Sequence, residues 1–306
     1  MPEPQAFDAQ NARRFTHPEP FVVRDAVERA LAEDLGPFGD LSAALLDATY
    51  TTTARFVARE AGVIAGVSCA EETLHQVDPA LRSDWNCDEG ARVEAAATLG
   101  TVHGSLESVL IAERTALNFL GHLSGIATLT DLHQQRCGDT ARVWDTRKTT
   151  PGLRSLEKAA VRCSGGLNHR GSLSDWIMIK DNHLMGMSIT SGVARARELW
   201  PARTVHVECD RPEQLHEALL AVVDAVLLDN MDPAMLRECV AIVDEHQSSG
   251  GRRPLLEASG GVTLDTISEI AQTGVDFISV GAITNSAPVL DIGLDIDEPA
   301  TADGGS

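Results

Sequence analysis

From about residue 138 onward, short apolar runs alternate with helical patterns, and this rhythm limits the folds open to the chain more than any other feature. The runs fall at 141–144, 176–179, 204–207, 225–228, 255–256 and 277–280, and helical spacing fills intervals such as 212–223, 233–246 and 263–273. A strand and a helix every 20 to 35 residues is the signature of parallel βα units. Six or so such units fit an α/β barrel better than an open sheet. In either arrangement, residues just past the carboxyl ends of the strands share one edge, where sites form.

The preceding region reads differently. Val23, Val27, Ala30 and Leu31 are spaced for a helix over 21–35, and residues 53–68 alternate with glycine punctuation, as strands do. Shorter β patterns follow at 88–93 and 98–102, and Leu110, Ile111, Leu117 and Leu120 mark a helix over 108–120. The expected organisation is an N-terminal α/β sandwich over 21–120 and an α/β barrel over 121–288. Residues 1–20, with four prolines, read as an arm. Residues 289–296 alternate and could return to the first domain, and 297–306 read as a disordered tail.

Charge removes several function classes. Forty-five acids against 25 bases leave a net charge of −20, which disfavours binding to nucleic acid or to an anionic membrane surface. The bases comprise three lysines and 22 arginines, which fits a protein adapted to high salt or, equally, an Arg-biased GC-rich genome. Six cysteines without a Cys-x-x-Cys pair read as reduced thiols. With no apolar run of about 18 residues and no secretory signal, a cytoplasmic protein is expected.

The positive charge is concentrated. Arg147, Lys148, Arg154, Lys158, Arg162, Arg170 and Lys180 stand against only Glu157 and Asp175 between residues 147 and 180. A solvated helix face accounts for Arg154, Glu157, Lys158 and Arg162. It does not account for Arg147 and Lys148, which follow a strand, or for Lys180, which ends one. An anionic substrate is the simplest reason for cations there. Glu208 and Asp229 end the next two strands; each alone could be a cap or an ion-pair partner, but together they suit Mg²⁺, sugar hydroxyls or a developing cation. Ser259-Gly260-Gly261 and Gly281 follow the last two strands, where glycine lets backbone N–H groups approach a phosphate, and a helix is expected to start near Thr263. No His-rich ligand spacing favours a metal-first enzyme.

Glu113-Arg114-Thr115-Ala116-Leu117-Asn118, Asp145-Thr146-Arg147-Lys148-Thr149-Thr150-Pro151-Gly152-Leu153-Arg154, Asn168-His169-Arg170 and Ile179-Lys180-Asp181-Asn182-His183 resemble the quinolinate phosphoribosyltransferase family. So do His122-Leu123-Ser124-Gly125, Val207-Glu208-Cys209-Asp210, Leu228-Asp229-Asn230, Glu257-Ala258-Ser259-Gly260-Gly261 and Val280-Gly281-Ala282, in the family's order over roughly 21–296. The resemblance implies an N-terminal α/β sandwich and a barrel of the type II phosphoribosyltransferase kind. It also implies a homodimer, or an assembly of dimers, with shared active sites. The implied reaction joins quinolinate to 5-phosphoribosyl-1-pyrophosphate with Mg²⁺, releasing pyrophosphate and CO₂ and giving nicotinate mononucleotide for NAD biosynthesis.

On that resemblance Arg147, Arg170 and Lys180 meet the quinolinate carboxylates with Thr146 and His169, and Arg114 reaches the partner's site. Lys148 contacts the phosphoribosyl pyrophosphate, while Glu208 and Asp229 hold ribose hydroxyls and Mg²⁺ and steady charge at the anomeric carbon. Ser259, Gly260 and Gly281 bind the 5′-phosphate. Asn285 stands where family members often carry histidine, and Trp176 is bulkier than the family pattern. The rival readings are a homologue of altered specificity (molybdenum-transport-associated or nicotinate-specific), a Schiff-base aldolase using Lys148 or Lys180, and a phosphate-binding regulatory module.

Overall fold

A computed structural model describes residues 16–298 and the backbone of 300–301. The strands are β1 (Tyr50–Ala58), β2 (Gly62–Val63), β3 (Arg82–Trp85), β4 (Arg92–Val93), β5 (Thr98–Ser105), β6 (Arg142–Trp144) and β7 (Ile177–Ile179). They continue with β8 (Val205–Cys209), β9 (Ala225–Asp229), β10 (Leu255–Ser259), β11 (Phe277–Ser279), β12 (Ile292–Ile296) and β13 (Ala300–Thr301). The helices are α1 (Pro20–Leu35), α2 (Val67–Val77), α3 (Leu106–Cys137), α4 (Arg154–Cys163) and α5 (Ile189–Leu199). After them come α6 (Pro212–Leu220), α7 (Pro233–Ser248), α8 (Ile267–Ala271) and α9 (Ala282–Asn285). The chain forms two units: Met1–Asp131 with Thr149–Gly165 and Ile283–Ser306, and Leu132–Lys148 with Gly166–Ala282.

The first unit is built on an antiparallel sheet ordered β12-β1-β5-β3. The two-residue period of β1 turns Ala54, Phe56 and Ala58 into a core shared with Leu99, Val109 and Leu120. Burying Phe56 alone contributes roughly 2–3 kcal/mol, and its ring stacks on Trp85 at 5.0 Å. Glu89 accepts hydrogen bonds from the Gly66 and Ser68 N–H groups at 2.8 and 3.1 Å, satisfying donors that the start of α2 would otherwise leave open.

Several expectations for this unit are corrected. The helix expected over 108–120 continues as α3 to Cys137, so a domain boundary at 120/121 falls inside it. Gly121 and Gly125 suggest a stop because glycine weakens helices, but they serve close packing: Leu290 N–H donates to Gly121 O at 3.0 Å, and a Cβ on Gly125 would stand 2.0 Å from the Pro288 carbonyl oxygen. Residues 149–165, expected with the barrel, belong to the first unit. In α4, Glu157 and Lys158 are buried rather than on a solvated face. Glu157 accepts from Thr150 N–H at 3.2 Å and lies 2.8 Å from His122 Nε2. Most of the expected arm, 1–15, lies outside the described residues, but His17 lies 2.9 Å from the Asp88 carboxylate and so does not read as a loose tail. Of the expected tail, Asp297 N–H donates to Thr53 O at 2.9 Å, and β13 pairs antiparallel with the first residues of β1; 302–306 lie outside the described residues.

The second unit is a parallel sheet ordered β6-β11-β10-β9-β8-β7. The sheet curls: Trp144 on one terminal strand and Trp176, beside the other, have ring centroids 6.1 Å apart. Trp144 also stacks on Phe277 at 4.2 Å and Trp176 on His206 at 4.8 Å, so aromatic rings fill the interior. Ser188 and Asp232 cap α5 and α7, and Pro212 and Pro233 open α6 and α7, the chemistry that starts helices after short loops. The helix expected over 263–273 shrinks to α8, because a Thr263–Thr266 turn occupies its first residues.

Candidate active site

The parallel strands set the site by register. Ser259 pairs with Asp229, Glu208 with Leu227, and Ile179, just before Lys180, with Val207. The carboxyl edge of β6 to β11 therefore collects Thr146, Arg147, Lys148, Lys180, Glu208, Asp229, Ser259, Gly260 and Gly281. Leu167 continues the ladder beside β6, donating to Val143 O at 2.9 Å and accepting from Asp145 N–H at 3.1 Å. That brings Asn168-His169-Arg170 to the same edge. The fully buried Asp145 locks them there, accepting from Asn168 Nδ2 at 2.6 Å and His169 N–H at 2.8 Å.

On the cationic side, Arg170 is buried with its Nε–H unmatched by any hydrogen-bond acceptor among the described residues. Burial pulls the guanidinium below its ordinary pKa, and the neighbouring Arg147 adds to the shift. Two guanidinium groups close enough to repel each other suit an anion. Lys180 contacts the Glu208 carboxylate, joining the cationic and acidic sides of the site. Its backbone N–H donates to His183 Nδ1 at 3.0 Å. Arg114 belongs to the first unit, exposed and 4.0 Å from Glu113.

The residues expected on the phosphate side are shaped by close approach. Lys148 N–H donates to Thr146 Oγ1 at 3.0 Å, and a Cβ on Gly281 would stand 3.0 Å from Lys148 Cδ. Gly260, at φ +103°, lies so near Asn230 that a Cβ would meet its Oδ1 at 2.2 Å. Asn230 N–H donates to Ser259 O at 2.8 Å and its side-chain amide to Asp229 at 2.6 Å. The glycines do not abut the N-terminus of a long helix, as the sequence suggested, since α8 starts only at Ile267 and α9 spans four residues. Asn285 is exposed, accepting from Ser286 Oγ at 2.7 Å, and belongs to the first unit.

Beneath the edge lies a polar layer that the sequence analysis missed. His206, two residues before Glu208 and on the same face of β8, is buried, as is Glu257, two before Ser259 on β10. With His169 they bring ligand-capable atoms within 4.8 Å of one another. Burial lowers the His206 pKa to about 4, so the ring is neutral at pH 7. The alternation of His206 with Glu208, and of Glu257 with Ser259, was the signal available in the sequence.

The models for the quinolinate phosphoribosyl transferase N-terminal and C-terminal domains match residues 40–124 and 126–295. The chain belongs to the quinolinate phosphoribosyltransferase family. It is 41% identical over 282 residues to a nicotinate-nucleotide pyrophosphorylase [carboxylating] of Mycobacterium leprae, covering 90% of this chain and 97% of that protein. It is 36% identical over 302 residues to quinolinate phosphoribosyltransferase [decarboxylating] 1b of Nicotiana tabacum, covering 92% and 84%. The structure of the nicotinate-nucleotide pyrophosphorylase from Francisella tularensis superposes with a TM-score of 0.87 at 36% identity, covering 92% of this chain and 99% of that one. Among the described residues, no helix is long and apolar enough to cross a membrane.

Proposed function

We propose that this chain transfers the phosphoribosyl group of 5-phosphoribosyl-1-pyrophosphate to quinolinate with loss of CO₂, giving nicotinate mononucleotide. The observation that carries the reading is Arg170, a buried guanidinium beside Arg147 whose Nε–H finds no acceptor among the described residues. Planar forks of this kind bind carboxylates in bidentate fashion, and quinolinate has two. Arg147, Arg170, Thr146, His169 and Lys180 hold the dicarboxylate, with Arg114 supplied from the partner subunit of a homodimer or a larger assembly of dimers. Lys148, Ser259, Gly260 and Gly281 hold the phosphoribosyl pyrophosphate. Glu208 and Asp229 hold ribose hydroxyls and steady positive charge at the anomeric carbon as pyrophosphate leaves.

The donor set suits Mg²⁺: Glu208, Asp229 and the Asn230 amide offer hard oxygens at adjacent strand ends. When bound, the ion offsets the charge of pyrophosphate. The ring nitrogen of quinolinate attacks the anomeric carbon and becomes a quaternary cation. That cation stabilises the electron pair left on the ring carbon as the adjacent carboxylate departs as CO₂, and a proton from solvent then takes the carboxylate's place, so the protein's part is to orient and desolvate the ring until CO₂ has left. The place of work is the cytoplasm.

Pyrophosphate and CO₂ release are measured with phosphoribosyl pyrophosphate and Mg²⁺, with quinolinate or nicotinate in parallel, at low and molar KCl. Turnover with quinolinate alone is expected. Turnover with nicotinate instead would replace this reading with the nicotinate-specific one.

A further inference from the structure

Glu257 is 1% exposed, yet neither the anion-binding edge nor the apolar core accounts for it. It stands on β10 below Ser259. One carboxylate oxygen, Oε1, takes the Ser279 hydroxyl from β11. The other, Oε2, has no hydrogen bond among the described residues and faces His169 Nε2 at 3.6 Å. A buried carboxylate oxygen left in this way persists where a polar neighbour answers it.

The surroundings of His169 leave its ring few ways to turn. Its backbone is tied to Asp145. Trp144 meets the ring edge-on at 5.1 Å and 81°, and Trp176 meets it at 4.9 Å and 64°. His206, stacked on Trp176 and held neutral by burial, closes the recess without adding charge. Glu257 is therefore the one carboxylate in this buried set. The Ser279 hydroxyl determines which of its oxygens is left for the imidazole.

We propose that Glu257 is a positioning residue for the reaction: held by Ser279, its carboxylate accepts from Nε2–H of His169, fixes the ring's plane and favours the form with a proton on both nitrogens, so that Nδ1–H is left to donate to quinolinate. The nitrogen a histidine presents to a ligand is set by the partner of its other nitrogen. A separation of 3.6 Å is longer than a formed hydrogen bond, and contacts of this kind tighten when substrate fills a site. The proposal rests on the reading of His169 as a quinolinate donor, and it gives a task to a residue of the Glu257-Ala258-Ser259-Gly260-Gly261 motif that the substrate contacts leave idle.

The decisive variant is Glu257→Gln. Because Ser279 holds Oε1, the new amide presents its NH₂ to His169 Nε2 and drives the ring proton to Nδ1. Imidazole ¹⁵N spectra of the whole unliganded protein, assigned with His169→Gln, are expected to show protons on both Nδ1 and Nε2 in the wild type and on Nδ1 alone in the variant, a neutral and weaker donor. In steady state, E257Q is expected to raise KM for quinolinate about tenfold and leave KM for phosphoribosyl pyrophosphate unchanged. Added to His169→Ala it should cause no further loss, because the two residues act as one unit. Ser279→Ala, which frees the carboxylate, should move the same KM by a smaller factor.

Identical ¹⁵N patterns in wild type and E257Q would overturn the proposal, as would losses from E257Q and H169A that multiply. The spectra need no substrate. A wild type that ignores quinolinate would thus sink the functional reading while the spectra still decide the role of Glu257.

Discussion

The two units treat buried polar groups in opposite ways. In the first, Glu89 is consumed by the start of α2 and Glu157 by Thr150 and His122, and among the described residues only the Trp85 indole N–H is buried without a partner. In the second, Arg170 Nε, His206 Nδ1, Glu257 Oε2 and the indole N–H groups of Trp144 and Trp176 all remain unmatched among the described residues. Unsatisfied buried polar atoms oppose folding, so their concentration in one unit marks the place where a ligand completes the structure. The antiparallel unit spends its polar groups on its own stability, and the parallel unit keeps them for chemistry.

Three substitutions test that contrast. The largest effect is expected from Arg170→Ala, which removes the buried fork: kcat/KM for quinolinate should fall by roughly 10²–10³-fold, the equivalent of about 3–4 kcal/mol for a buried charged partner, with little change in the thermal midpoint. A large drop in that midpoint with KM preserved would make Arg170 structural and erase the distinction. Next is Gly125→Ala in the first unit. Its Cβ would stand 2.0 Å from the Pro288 carbonyl oxygen, so urea unfolding should show a loss of about 1–3 kcal/mol from overpacking, with KM for both substrates unchanged. A variant as stable as the wild type would mean that the 288–290 segment yields easily.

The smallest effect concerns Glu89. Desolvation by burial raises its pKa, and the hydrogen bonds from Ser68 and Gly66 only partly offset this. A carboxyl that holds its proton more tightly folded than unfolded contributes stability at low pH. That contribution is lost as pH rises from the unfolded value, near 4.5, through the raised folded one. Glu89→Gln should therefore flatten the fall in stability over that window, read from urea unfolding at a series of pH values. An unchanged pH slope would show that Glu89 does not titrate in the folded chain.

Much of the site could be read from one dimension because a parallel sheet delivers successive strand ends to one edge. Lys148, Lys180, Glu208 and Asp229 each stand at or just past the end of an apolar run, and the ladder registers place them together. Asn168-His169-Arg170 were legible only through the family resemblance, since no strand precedes them; a single bridge from Leu167 to Trp144 carries them to the edge. Glu157 and Lys158 misled because charge at helical spacing usually faces water, whereas here both are buried, Glu157 against Thr150 and His122.

Residue order alone sets the alternation of strands and helices and the sign of charge at each strand end, and with it the expectation of an anionic substrate. These are local properties: side-chain period, caps and the chemistry of single residues. The tertiary structure alone decided that α3 runs through Gly121 and Gly125, that the ends of the parallel sheet curl until Trp144 and Trp176 meet, and that Glu257 comes to face His169. Each of these depends on atoms far apart in the chain meeting within a few ångströms, and no local pattern encodes such a distance.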